Sequence, residues 1–359
     1  MTGLKIAVIL LRLLDTGGEN VADPFFHIAV ALALCFTFVN GFSDGGNVVA
    51  ATICCRSMRP WRALVWASMA EFVGPLLLGT AVAKTMSSSV LKPSMFQAIP
   101  AHILYIIVSS ALAGTLFWKL PTWYVGLPSS GSHALIGGLV GAGIVGIGPQ
   151  SILIYRIAWK VVLPMVAAPL VGVLLGYLIF SIIKSIFGGS HRRIGQFFTV
   201  LQRPVMVLLA ASHGSNTSQK SMGVIAIILT AGINDVEGAM ALPSWVVYSC
   251  AAAIAIGVLT GGWRIVKTVG LRISKMEPVH AFSAQLASAI TMMGASIIGG
   301  PVPVSQVVGP AVIGVGAARR ASGVRWSFAT HIVYAWVLTF PVSMVIGAAF
   351  CWCLTHVFT

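Results

Sequence analysis

The chain has 359 residues, 57% hydrophobic and 8% charged, with a formal net charge of +14. That composition excludes a soluble globular domain, and no polar segment is long enough to fold as a nucleic-acid-binding module. The 22 basic residues sit mainly in short stretches at 56–62, 184–203, 264–275 and 319–325, where positive-inside topology places the loops between spans.

In chain order, the N-terminal LKIAVILLRLL resembles a secretory signal core. Arg12 interrupts it and no small-x-small cleavage site follows, so an amphipathic or first membrane segment is expected. Apolar runs then cover 24–42, 63–83, 102–118, 161–183, 204–211, 222–233, 243–260, 281–298 and 327–354. Several reach the roughly 20 residues that cross a hydrocarbon core as helix, and they are apolar on every face, unlike the alternating strands of about 10 residues in a barrel. The expected fold is an all-α polytopic membrane protein with about ten to twelve membrane segments, hairpins included. The six cysteines lie in or beside these runs without zinc or redox spacing, which makes them small apolar helix residues.

The stretch NGFSDGGNVVAA at 40–51 places Asp44 among glycines at membrane depth, with Asn47 one turn further on, and Glu71 stands apart in the next apolar run. A carboxylate there costs on the order of 3 kcal/mol, so both are candidates for lining a pathway or carrying a proton. The plainer alternatives are that Asp44 caps a half-helix beginning near Gly45 and that Glu71 is a structural carboxylate facing a pore.

The polar stretches recur. GTAVAKTM at 79–86 returns as GWRIVKTV at 262–269, and PSSGSHALIGGLVGAG from Pro128 returns as PVSQVVGPAVIGVGAA from Pro303. The same shift sets HGSNTSQKSMG at 213–223 opposite the opening stretch, with Asn216 opposite Ser43, Thr217 opposite Asp44 and Lys220 opposite Asn47. GINDVEGA at 232–239 competes for that place, but spacing decides against it. Asp44 and Pro128 are 84 positions apart, Thr217 and Pro303 are 86, and Asp235 and Pro303 only 68, so Asp235 and Glu237 read as a polar loop. The chain therefore divides into a first transmembrane repeat at 20–186, a short basic connecting loop at 187–202 and a second repeat at 203–354. Paired Gly/Pro-interrupted apolar segments point to a transporter site at a repeat interface, where broken or re-entrant helices turn amide N–H groups and positive dipole ends toward an anion. Ser130, Gly131 and Ser132 in one half, and Ser305 and Gln306 in the other, suit that role.

On these residues the sequence resembles the inorganic phosphate transporter (PiT) family in its bacterial form, over roughly 25–345. GGWRIVKTVG stands at 261–270, NGFSDGGN resembles the first GANDVANA-type signature, and HGSNTSQKSMG resembles the bacterial second one. PSSGSH and PVSQVV resemble the paired PVSTTH-type motifs, and AWVLTFP at 335–341 fits the last span. The resemblance implies secondary active transport of inorganic phosphate across the cytoplasmic membrane by two inverted-topology repeats. It implies no enzymatic activity and no cofactor beyond a coupling cation, which in bacterial relatives is the proton.

Departures from the family pattern bear on coupling. Ser43 replaces the first signature asparagine, Thr217 the second signature aspartate, and Gln306, Val307 and Val308 the second TTH. The expected carboxylate pair is halved, which weakens a sodium site and favours H+ over Na+, with Asp44, Glu71 and His133 as coupling candidates. The expected substrate site comprises Asp44, Asn47, Ser130, Gly131, Ser132, Asn216, Thr217, Lys220, Ser305 and Gln306, with no metal. Lys220 is either a fixed charge for the anion or a lysine snorkelling to the membrane surface.

The alternatives are a permease for sulfate or another tetrahedral oxyanion, a sodium-coupled phosphate transporter, and a non-transporting receptor or scaffold, which uptake by proteoliposomes would separate from a carrier. A Ser132–His133 hydrolase with Asp44 as the acid is disfavoured, because adjacent helical residues point about 100° apart. The expected partners are inorganic phosphate, the lipid bilayer and a second copy of the chain as a homodimer, with no nucleic acid.

Overall fold

A computed structural model describes residues 23–126, 129–187, 192–231, 242–272, 277–320 and 326–358. These form α1 (Pro24–Cys54), α2 (Pro60–Leu77), α3 (Ala81–Ser89), α4 (Ala101–Val125), α5 (Gly131–Gly146) and α6 (Ile154–Phe187). They continue with α7 (Arg192–Leu229), α8 (Ser244–Arg272), α9 (Pro278–Ile297), α10 (Ser305–Arg320) and α11 (Trp326–Phe358). Proline opens α1, α2 and α9, where its missing N–H costs no hydrogen bond. Asp23 caps α1 by accepting the Phe25 N–H at 2.8 Å, and Gly126 closes α4 in the left-handed conformation at φ 83°.

Among the described residues, α1, α4, α6, α7, α8 and α11 are long and apolar enough to cross a bilayer. The α2–α3 pair, bent by 71° at Gly79 (φ 75°), makes a seventh span if it is counted as one. α5 and α10 have 16 residues each, about 24 Å at 1.5 Å per residue, and fall short of a hydrocarbon core of about 30 Å. Against the expected ten to twelve membrane segments, the described residues thus hold six helices long and apolar enough to cross, or seven with the bent pair. On α6, Leu170, Leu174, Leu178, Ile182 and Ile186 form an exposed stripe at i, i+4 spacing, as a lipid-facing helix requires.

Two expectations are corrected here. α1 runs unbroken from Pro24 to Cys54, so Asp44 caps no half-helix, and HGSNTSQKSMG likewise lies inside the continuous α7. The glycines admit neighbours instead: a Cβ at Gly41 would meet the Ile254 carbonyl of α8, and one at Gly45 would lie 2.9 Å from the Val258 side chain. Residues 192–202, expected in the connecting loop, are the first turns of α7, because the basic stretch also has good helix formers at Arg192, Arg193 and Gln196. The N-terminal apolar segment and GINDVEGA lie outside the described residues.

The helices pack in a repeating pattern. α1 packs on α8 as α7 packs on α2; α5 on α11 as α10 on α6; α4 on α1, α5 and α11 as α9 on α7, α10 and α6; α1 also meets α7 and α2 meets α8. One difference stands out: the break at Gly79 between α2 and α3 has no counterpart within α8. Close approach depends on small residues in the α2–α7 contact, where a Cβ at Gly74 would strike the Ala211 carbonyl and one at Gly214 the Glu71 backbone. Gly74→Ala is expected to destabilise the purified protein by about 1–3 kcal/mol, because the obstacle is backbone that cannot rotate away. A thermal melt in detergent checks this, and an unchanged midpoint would contradict the close contact.

Candidate anion site

The polar faces of two long helices meet the start of a short one. On α1, Asn40, Asp44 and Asn47 fall at i, i+4 and i+7 and share one face; on α7, His213, Asn216, Thr217 and Lys220 do the same at i, i+3, i+4 and i+7. Asp44 lies ten residues before the end of α1, about 15 Å along the helix, or half the hydrocarbon thickness from the basic end at Arg56.

Asp44 is the centre of the charge cluster. Its Oδ2 accepts from the Lys119 Nζ of α4 at 3.2 Å and its Oδ1 from Ser43 Oγ at 3.1 Å. The Lys119 side chain is only 2% exposed, so its ammonium has exchanged bulk water for this carboxylate. Lys220 of α7 is also buried, donates to the Val302 carbonyl at 3.0 Å, and lies within electrostatic range of both Asp44 and Lys119. Of the two places open to it from the sequence, Lys220 takes the inner one: it points into the protein and does not snorkel to the surface.

The start of α5 faces this cluster. Ser130 is its N-cap, accepting the His133 N–H at 3.2 Å and lying 2.6 Å from His133 Nδ1. Gly131 lets the Asn40 and Lys119 side chains approach the helix start, since a Cβ there would meet Asn40 Oδ1 and come within 3.1 Å of Lys119 Nζ. Ser132 is buried and its hydroxyl has no partner among the described residues. His133 is half-buried and within electrostatic range of Lys220. The Ser–His contact does form, but between Ser130 and His133, three residues apart, rather than through Ser132.

The second half supplies neutral oxygens. Asn216 donates to the Gly300 carbonyl at 2.9 Å and to Ser296 Oγ at 3.2 Å, which ties α7 to the turn before α10 and leaves Asn216 Oδ1 without a partner among the described residues. Gln306 is buried at the start of α10 with Oε1 equally unpartnered, while Ser305 beside it is half-buried and Thr217 is buried. An orphaned buried polar atom costs about 1–3 kcal/mol, which makes the Ser132 hydroxyl and the Asn216 and Gln306 oxygens groups that a polar ligand within reach would stabilise.

Glu71 stands apart from the lysines. It is fully buried on α2, with Oε1 2.6 Å from His213 Nδ1 of α7, and is within electrostatic range of Asp44. Its Oε2 and the His213 Nε2 have no partner among the described residues.

Three residues of the site carry no expectation from the sequence: Lys119, Asn40 and His213. Reading buried ions from carboxylates alone passes over them. The available signal for Lys119 was a lysine interrupting the apolar sequence that becomes α4, and for His213 a histidine four residues before Thr217.

A model of the phosphate transporter family matches residues 40–347. The chain is 39% identical over 331 residues to a Rhizobium meliloti protein named "Probable low-affinity inorganic phosphate transporter", covering 92% of this chain and 96% of that one. It is 35% identical to a Bacillus subtilis protein of the same name, covering 92% and 97%. A solved structure named "The sodium-dependent phosphate transporter" superposes with a TM-score of 0.85 at 22% identity, over 94% of this chain and 100% of that one, and so shares its fold.

Proposed function

The chain belongs to the phosphate transporter family, and from that premise we propose that it carries inorganic phosphate across the cytoplasmic membrane together with protons, on two inverted repeats, binding the anion among Asp44, Lys119 and Lys220. The observation that carries this reading is the buried cluster of two ammonium groups and one carboxylate at the start of α5. With all three ionised the cluster holds a net positive charge of one, which dihydrogen phosphate offsets without leaving an uncompensated ion in lipid. Ser130 and Ser132 add hydroxyls, and the first amides of α5 add a positive dipole end. Asn216 Oδ1 and Gln306 Oε1 offer acceptors, which a protonated phosphate oxygen can satisfy and sulfate cannot.

Proton coupling is supported by the residues that change charge. Asp44 loses its second-half counterpart to Thr217, and Glu71 with His213 forms a buried acid–base pair beside the cluster. In this scheme Glu71–His213 takes up and releases the proton while Asp44 holds the lysines.

The test is labelled phosphate and sulfate uptake into proteoliposomes, in sodium-free choline buffer between about pH 5 and 8, with and without a proton ionophore. Phosphate uptake that persists without sodium and collapses with the ionophore is expected. Uptake that is nil without sodium and indifferent to the ionophore would overturn proton coupling and assign Thr217 to a sodium site, in keeping with the sodium dependence named for the solved relative.

Glu71→Gln keeps the shape and removes the titration. It is expected to retain phosphate–phosphate counterflow and to lose most, about tenfold or more, of the ionophore-sensitive net uptake. Equal loss of both would make Glu71 a structural residue.

A further inference from the structure

Away from the phosphate site, at the end of the molecule where α1 finishes and α2 and α7 begin, a cavity of about 550 Å³ is lined by Arg56, Arg59, Arg62 and Arg203 together with Trp66 and Val207. Among the described residues none of these four guanidiniums has an acidic partner. Arg203 is held in place by donating Nε–H to the Ser57 carbonyl at 3.1 Å, and Arg56 sits in the left-handed conformation at φ 55°, which ends α1 and turns the chain into α2. Four arginines without acidic partners around one concavity concentrate positive potential there, and the planar guanidinium fork suits phosphate oxygens.

Which anion follows from the wall of the cavity. Arg62, Trp66, Met69 and Val73 fall at i, i+4, i+7 and i+11 on α2, so they form one stripe running from the basic end into the apolar zone. Trp66, Met69 and Val73 are 51%, 56% and 43% exposed, and Trp61 is 66% exposed at the level of the arginines. An indole pair beside the basic cluster marks the membrane–water interface, and the apolar residues below it present a track for acyl chains. Inorganic phosphate would use the arginines and leave that track bare.

We infer that this cavity binds the phosphodiester head group of an anionic phospholipid, with its acyl chains lying along Trp66, Met69 and Val73. By the positive-inside rule the arginines face the cytoplasm, so the lipid belongs to the inner leaflet. The site is separate from the proposed transport site, and neither reading depends on the other.

The experiment titrates the purified protein, in a neutral detergent, with phosphatidylglycerol and counts bound lipid by native mass spectrometry. Wild type is expected to retain one tightly bound phosphatidylglycerol and to bind phosphatidylcholine much more weakly. Arg56→Gln/Arg62→Gln should weaken phosphatidylglycerol by about 25-fold, at about fivefold per arginine, while phosphate uptake in vesicles of phosphatidylcholine alone stays at the wild-type level. If the double variant aggregates, Arg62→Gln alone, expected about fivefold weaker, decides the same question. Equal affinity in wild type and variant would overturn the site. Displacement of the lipid by millimolar inorganic phosphate would overturn the lipid assignment and make the cavity a vestibule for the free anion.

Discussion

Asp44→Asn is expected to cut phosphate uptake by at least about 100-fold while the protein still folds and inserts. The carboxylate accepts from Lys119 at 3.2 Å and faces Lys220, so its removal leaves two buried ammonium groups with no counter-ion. Breaking a buried ion pair by deleting one partner costs about 3–5 kcal/mol, and the lower figure applies here because the Asp44 side chain is 15% exposed. About 3 kcal/mol corresponds to a factor of roughly 100. Asparagine is nearly isosteric and still offers an acceptor oxygen, so the loss would report charge rather than shape. Phosphate uptake should fall more than sulfate uptake, since only phosphate has an O–H to donate and a charged carboxylate accepts it more strongly than an amide oxygen does. The measurement is initial uptake of both labelled anions into proteoliposomes, normalised to protein that elutes as a single species in detergent. Equal loss of the two anions, or none, would remove Asp44 from the discriminating role.

Lys220→Met should raise the apparent KM for phosphate by at least about 30-fold, with a smaller effect on the maximal rate. Methionine matches the length and apolar stem of lysine but deletes the charge. Truncating a fully desolvated charge that meets an anion typically costs about 2–5 kcal/mol of affinity. The Nζ–H donated to Val302 also closes the turn before α10, and its loss separates two outcomes. If Lys220 serves only that turn, the melting midpoint falls and KM stays put. If it meets the anion as well, KM rises in protein that remains folded. Lys220→Arg sharpens the comparison, since it restores the charge in a geometry too bulky for the same buried position and should recover part of the affinity only.

The sequence and the structure divide the explanation unevenly, and Asp44 shows why. Its identity as an exceptional residue was legible, because a carboxylate among apolar residues is improbable unless it does something, and that improbability is a local property of the chain. The glycines around it mislead for an equally physical reason. Glycine both weakens a helix and lets another helix come close, and only the presence of Ile254 and Val258 against Gly41 and Gly45 distinguishes the two. PSSGSH and PVSQVV were ambiguous in the same way taken singly, since serine and glycine also serve helix packing, and it was their recurrence in both halves that pointed to helix starts; Ser130 and Ser305 stand at the N-terminal ends of α5 and α10.

By itself the sequence determined the helical membrane class and the family resemblance, and it singled out Asp44 and Lys220, two of the three ions of the charge cluster. Hydropathy over some 20 residues and short motifs are properties that one stretch of chain carries without its neighbours. Tertiary structure alone decided the partners: Lys119 for Asp44 across 75 positions, His213 for Glu71 across 142, and Val302 for Lys220 across 82. Those pairings have no period in the sequence. They arise because ions withdrawn from water must find opposite charge or hydrogen bonds within a few ångströms, and which groups come that close is fixed only when small residues let the helices pack.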